Sequence, residues 1–178
     1  MRAILIPGFV AALLSLCLTP VQAQRPWSLG LGGGVSFPMG DFADAADMGW
    51  NALAVIERAS PMQPASLRLD VAYNQFSFSD ASVEDESQNT ISGTLNVTYR
   101  MPSAGWAIGP YVIAGLGAYR SDCSVDNCES VTRFGWNAGL GIRMNLLGFR
   151  NFLEARYHRT RVVGASLSYV PVTFAITF

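Results

Sequence analysis

Eight segments of this chain alternate apolar and polar residues with a period of two. They lie at about 27–37, 49–58, 66–78, 90–101, 108–120, 132–146, 152–162 and 168–178, and most run for ten residues or more. Such alternation marks a strand whose two faces meet different surroundings. Globular strands usually have about 5–6 residues. A tilted strand needs about 9–11 to cross a bilayer. No long stretch between these segments has helical periodicity. The segments therefore predict an all-β fold, an eight-stranded antiparallel up-and-down barrel whose strands cross a membrane. Lipid offers no water to an unpaired strand edge, so a spanning sheet must close.

Four segments carry the pattern most clearly. Leu67, Leu69, Val71 and Tyr73 share one face, and Arg68, Asp70 and Asn74 the other. Leu95, Val97 and Tyr99 oppose Thr94, Asn96, Thr98 and Arg100. Leu140, Ile142 and Met144 oppose Gly139, Gly141, Arg143 and Asn145. Leu153, Ala155 and Tyr157 oppose Glu154, Arg156 and His158. The first and fifth segments are Gly-rich; glycines on an inner wall make room for long side chains from opposite strands.

A soluble barrel turns its apolar face inward and a membrane barrel turns it outward. Three features favour the second. Strand charges collect on one face. Trp27, Trp50, Tyr73, Tyr99, Trp136, Tyr169 and Phe178 lie near strand ends, where interfacial girdles belong. The connections 38–48, 79–89 and 121–131 are long and acidic, whereas 60–64, 101–105 and 147–150 are Pro/Gly turns. The last connection on the long side, near 163–167, is short. An even strand number puts both ends of the chain on the short-turn rim, the periplasmic side of such a barrel, with the long loops extracellular.

Residues 1–23 precede the first strand and read as a secretory signal peptide. Arg2 supplies the positive charge, Ile4 to Leu18 the apolar core, and Val21-Gln22-Ala23 the cleavage site. The apolar run is short for a transmembrane helix. A lipoprotein signal ending at Cys17 requires a small residue where Leu16 stands. The expected domains are thus 1–23, the signal, and 24–178, the barrel. Cleavage leaves Cys123 and Cys128. Export and an even count predict a disulfide between them, closing a short loop worth about 2 kcal/mol.

Charge narrows function. Asp, Glu, Lys and Arg make up 14% of the chain, and its net charge is −1. All 12 basic residues are Arg. A nucleic-acid binder shows a basic surplus, so nucleic acid is not an expected partner.

The C-terminal run Val170-Pro171-Val172-Thr173-Phe174-Ala175-Ile176-Thr177-Phe178 resembles the terminal strand of outer-membrane β-barrels. The segments Phe37-Pro38-Met39-Gly40-Asp41-Phe42, Gly109-Pro110-Tyr111-Val112, Gly139-Leu140-Gly141 and Phe152-Leu153-Glu154-Ala155-Arg156-Tyr157 resemble the small outer-membrane β-barrel domain family, which includes opacity-type, OmpX-like and OmpA transmembrane-domain barrels. The resemblance covers essentially all of 24–178. It implies an integral protein of a Gram-negative outer membrane, monomeric, with Phe178 as the signal read by the barrel assembly machinery. The sequence ends at Phe178, so a peptidoglycan-binding domain like that following the barrel in full OmpA is not expected. Pro171 departs from the pattern, because it cannot donate a ladder hydrogen bond; a bulge or a late start is expected there.

Chemistry is sparse. His158 is the sole histidine. Lipid A deacylases are small barrels with a lipid-facing His/Ser/Glu set, but His158 shares the inward face with Glu154 and Arg156, and Arg159 and Thr160 follow it. No catalytic, cofactor-binding or metal-binding residues are assigned. The inward face should carry a charge network of Glu57, Arg68, Asp70, Arg100, Arg143, Glu154, Arg156 and His158, filling the lumen; a narrow ion pore is the competing expectation. Arg120, Arg133, Arg159 and Arg161 should crowd one sector of the upper rim, where lipid A phosphates lie, although snorkelling without a specific lipid is equally open. Ten of the 13 acidic residues fall in the long loops: Asp41, Asp44, Asp47, Asp80, Glu84, Asp85, Glu86, Asp122, Asp126 and Glu129. These loops are either simply solvated or a surface for cations or a basic extracellular partner. The expected role is structural or surface-interacting, in adhesion or envelope integrity, with a lipid-modifying enzyme as the alternative.

Overall fold

The computed structural model describes residues 26–178 except 61, 78–86, 103–107, 124–129 and 163–164; the side chains at 123, 161–162 and 165–166 are likewise outside the description. Eight strands follow one another: β1 (Trp27–Met39), β2 (Gly49–Ala59), β3 (Ala65–Ser77), β4 (Ser87–Arg100), β5 (Gly109–Cys123), β6 (Val131–Leu146), β7 (Phe149–Val162) and β8 (Ala165–Thr177). Each pairs antiparallel with the next, and β8 pairs with β1, so the sheet closes in simple up-and-down order. Both ends of the strand run lie on the short-turn rim, as expected.

The facing is that of a membrane barrel. Leu29, Leu31, Leu67, Leu69, Val71, Leu95, Val97, Val112, Leu116 and Leu140 are exposed on the outer wall. Ser36, Asn51, Arg68, Asp70, Asn74, Thr94, Asn96 and Glu154 are buried inside. Water could not support this distribution, because the apolar band is continuous and the polar groups have left solvent. Trp27, Tyr99, Phe149 and Phe178 ring the short-turn end of that band, and Phe37, Trp50, Phe134 and Trp136 ring the other. Diagonal cross-strand pairs reinforce the second girdle: Trp50 meets Tyr73 at 5.3 Å and Trp136 meets Tyr157 at 5.6 Å between ring centroids.

Three expectations change. Tyr169 is not a girdle residue. It is completely buried, because β8 turns its odd-numbered residues inward and sets Tyr169 opposite His158. Pro171 produces no bulge or late start. The register is the same on both sides of it, Ala155 facing Val172 and His158 facing Tyr169, and the ladder with β7 only loses pairs between them. The missing Pro N–H removes a bond without moving the strand. Finally, the rims are less unequal than the turn signals imply. β4 starts at Ser87 and β5 continues to Cys123, which shortens the long loops, and the connection 101–108 is one residue longer than 124–130.

Interior space is scarce in an eight-stranded barrel. β6 meets this by putting Gly135, Gly139 and Gly141 on its inner face. A Cβ at Gly141 would lie 2.5 Å from the Tyr111 ring, and one at Gly139 would lie 2.5 Å from the Arg156 side chain. Large side chains from the neighbouring strands occupy the room these glycines leave. Gly141→Val should therefore destabilise the barrel by about 1–3 kcal/mol through overpacking. The midpoint of urea unfolding in detergent checks this; an unchanged midpoint contradicts the close approach of Tyr111.

Candidate functional site: the barrel interior

The middle of the lumen is built from four charges and a phenol. On β3, Arg68 and Asp70 are two residues apart and share the inner face. Arg68 Nε and Nη2 donate to the Asp70 carboxylate at 2.9 Å each. On β7, four strands away around the ring of eight and hence diametrically opposite, Glu154 and Arg156 repeat the arrangement in reverse order. Arg156 Nε lies 2.7 Å from Glu154 Oε1. The two halves join across the barrel. Arg68 Nη2 donates to Glu154 Oε1 at 2.8 Å, and Arg156 Nη1 lies 2.7 Å from Asp70 Oδ2. Tyr111 of β5 donates its hydroxyl to Glu154 Oε2 at 2.6 Å. Phe152 lies beneath the Arg68 guanidinium, 5.0 Å from its ring centroid. The quartet is neutral, with two cations and two anions, and every member is almost fully buried.

A second strut crosses nearer the short-turn rim, again between opposite strands. Arg143 of β6 donates to Glu57 of β2 at 2.6 Å, and Thr98 of β4 donates to the same Glu57 oxygen at 3.3 Å. Arg143 also stacks on Tyr111, with 4.8 Å from its guanidinium to the ring centroid. Toward the long-loop rim the lumen becomes aromatic. His158 stacks on Tyr169 with centroids 5.0 Å apart and planes 9° apart, and its Nδ1 lies 3.0 Å from the Tyr119 hydroxyl. Phe76 packs edge-on against Tyr169 at 5.5 Å.

Above this layer the chain covers its own mouth. The segment after β1 forms a 3-10 turn at Gly40–Phe42, with Gly40 at φ 60°, a left-handed value that glycine adopts without strain. The turn drives Phe42 inward onto Phe76 at 5.0 Å, and Ala46 is buried beside it. The sequence reading treats 38–48 as a solvated acidic loop. Asp41 and Asp44 are exposed, but Phe42 and Ala46, which follow them closely, are buried and are the available sign of a plug.

Of the expected lumen charges, the structure joins Glu57 to Arg143, and Arg68 to Asp70, Glu154 and Arg156. Two do not join. Arg100 has the inward parity but sits at the last position of β4, so it reaches the turn below and donates to the carbonyls of Ser60 and Gln63 at 3.3 and 3.0 Å. His158 is inside but belongs to the aromatic layer, without a carboxylate partner among the described residues. Asn51, which lies on the inner face unremarked by charge, ties three strands: it donates to Ser36 Oγ at 3.2 Å and accepts from Thr173 at 2.9 Å.

The proposed arginine sector is also narrower. Arg120 and Arg159 face outward and are exposed. Arg120 donates to Asp122 at 3.3 Å and to Ser130 at 2.9 Å. Arg133 is on the other face: it pairs with the inward Tyr119, so it points toward the lumen mouth. The side chain of Arg161 and the Cys123–Cys128 disulfide lie outside the described residues. Among the described residues, no group of three or more His, Cys, Asp or Glu could hold a metal ion.

Closed eight-strand order, an apolar outer band and a neutral polar interior agree with the family comparison. The model for the outer membrane protein beta-barrel domain matches residues 9–170. The chain belongs to that family. Solved structures agree in fold at low identity. The barrel is similar to Neisserial surface protein A, at 13% identity and TM-score 0.66, covering 85% of this chain and 96% of that one. It is similar to the N-terminal β-barrel domain of Pseudomonas aeruginosa OprF, at 14% identity and TM-score 0.53, covering 88% and 100%. It is also similar to Ail, the attachment invasion locus protein of Yersinia pestis, at 15% identity and TM-score 0.51, covering 85% and 97%. No curated protein matches it in sequence. The protein is an integral component of a bacterial outer membrane.

Truncating one member of the quartet leaves buried charges unmatched. Arg68→Met should cost about 3–5 kcal/mol, since both Asp70 and Glu154 lose a partner. Arg143→Met should cost less, because that pair is partly open to water. Denaturant titration in detergent checks the order; equal loss in the two variants contradicts the central role of the quartet.

Proposed function

We propose that this barrel has a structural or surface-interacting role, in adhesion or envelope integrity, and performs no catalysis. Its lumen acts as a neutral strut rather than a channel. The carrying observation is the Arg68–Asp70–Glu154–Arg156 quartet, which spans the full diameter between β3 and β7 with side chains that are buried and mutually paired. An ion entering this level would have to displace an existing partner. The short-turn rim and both chain ends face the periplasm, the long loops face outside, and the barrel works as a monomer. A Cys123–Cys128 disulfide would brace the third long loop in that oxidising space. Phe178, whose main chain pairs with Leu29, would serve as the assembly signal. In planar bilayers the purified protein should give no discrete conductance steps. Regular steps of constant size would overturn the filled-lumen reading in favour of a narrow pore.

The acidic loop residues favour a cationic partner over a polyanion. Ail has been solved with the heparin analogue sucrose octasulfate; three of this chain's acidic residues, Glu84 to Glu86, are consecutive in the second long loop, and repulsion should exclude such a ligand there.

A second reading concerns lipid. Arg120 and Arg159 are exposed on the outer wall toward the long-loop rim, where arginine on the lipid side costs only about 0–1 kcal/mol. Planar guanidinium groups suit bidentate phosphate contacts, so lipid A phosphates are the proposed partner. Lipopolysaccharide should co-purify with the wild type and less with the Arg120→Gln, Arg159→Gln, Arg161→Gln triple variant. Equal retention leaves snorkelling alone.

A further inference from the structure

The short-turn end of the lumen opens into a cavity of about 290 Å³. Arg100, Arg143, Arg150 and Glu57 line it, with Ser28 and Asn145 between them. Register explains the grouping. Arg150 faces Asn145 across the β6–β7 pair, Arg143 lies two residues further along the same face of β6, and Arg143 faces Gly109. Gly109 has no side chain to fill the space toward Arg100, which faces Tyr111 two residues along β5.

The charges here do not cancel. Three guanidinium groups meet one carboxylate, a surplus of two, and arginine cannot shed its proton. No further acid is available in the surrounding turns: residues 60–64, 101–108 and 147–148 contain no Asp or Glu. The arginines also keep donors free. Among the described residues, Arg100 uses Nη2 on the turn carbonyls of Ser60 and Gln63. Arg143 uses Nη2 on Glu57 and Thr98. Arg150 has no side-chain hydrogen bond or ion pair with any described residue and is exposed at the mouth. This contrasts with the quartet above it, where charges match.

We propose that this cavity binds a phosphate-bearing ligand, a phosphomonoester of small polar type. Such a group carries about −1.5 to −2 charges at pH 7 and strong acceptor oxygens, which matches the surplus of two. Forked guanidinium donors fit those oxygens in pairs. The phosphate could belong to a soluble solute or to an anionic lipid headgroup of the adjoining leaflet; both present the same oxygens to Arg150.

The test uses the full mature chain in nanodiscs of zwitterionic phospholipid, with glycerol 3-phosphate as probe in isothermal titration calorimetry. Saturable binding that weakens with added salt is expected. Arg150→Gln should weaken it about tenfold, the loss of one charge-assisted hydrogen bond, with Arg150→Lys intermediate. Arg58→Gln, which removes a guanidinium lying over Trp27 on the outer wall, should leave it unchanged. Retained heat-modifiable gel migration shows that each variant is folded. Adding phosphatidic acid to the nanodiscs separates the sources: competition with the probe supports a lipid headgroup, and its absence a soluble phosphomonoester. Lack of saturable binding by the wild type, or equal affinity of folded Arg150→Gln, would overturn the proposal.

Discussion

The cross-diameter ion pairs between β3 and β7 are the constraint on which the rest of the interior depends. A barrel in lipid cannot hydrate its inner wall from outside, and eight strands leave little room to hydrate it from within. Charges on that wall must therefore find each other. Arg68 and Asp70 on one strand, and Glu154 and Arg156 in reverse order on the opposite one, give each cation two anions and each anion two cations. That reciprocity sets demands on its neighbours. The strands must hold a register that brings Asp70 and Glu154 to one level. β6 must be glycine-rich where Arg156 and Tyr111 pass. β5 must supply a hydroxyl at Tyr111 for the remaining oxygen of Glu154.

The same demand explains why the outer wall is so uniform. Once the charges are paired inside, the outward positions carry no obligation except to lipid. Leu, Val and Ile fill the band, and aromatic residues take its edges. Pro171 is tolerated for a related reason. Closure gives every strand two neighbours, so the bond it withholds from β7 is lost without freeing an edge, and the pairing with β1 at Ser36 continues through it.

The fold was legible because a two-sided strand writes its facing into every second residue. Strand number, order and facing follow from that alone, and most strand bounds agree within a few residues. Site membership was less legible, since parity gives direction but not height. Arg100 and Arg143 both point inward, yet one ends on turn carbonyls and the other on Glu57, because they differ in distance from the rim. Arg133 was misplaced because the start of β6 gives few alternating residues from which to count. Tyr169 looked like a girdle aromatic because its position near a strand end is shared by residues of both faces. Phe42 and Ala46 are apolar residues within an acidic loop and so hint at burial, but nothing in a loop sequence specifies that the chain turns back over the mouth.

Charge along the barrel axis ties these observations together. At the central level, where lipid surrounds the wall and a field is screened least, the cations and anions are equal. The surplus appears only at the ends. Acidic residues gather in the long loops, while the short-turn rim keeps Arg58, Arg100, Arg143 and Arg150 against Glu57. Unbalanced charge is cheap there because water reaches it. It is also where charge can act, since a partner can approach. The neutral quartet thus lies between two ends whose charge is unbalanced in opposite senses. Arg100 marks the lower boundary: on the inward face, it is used by the turn and the cavity rather than by the strut.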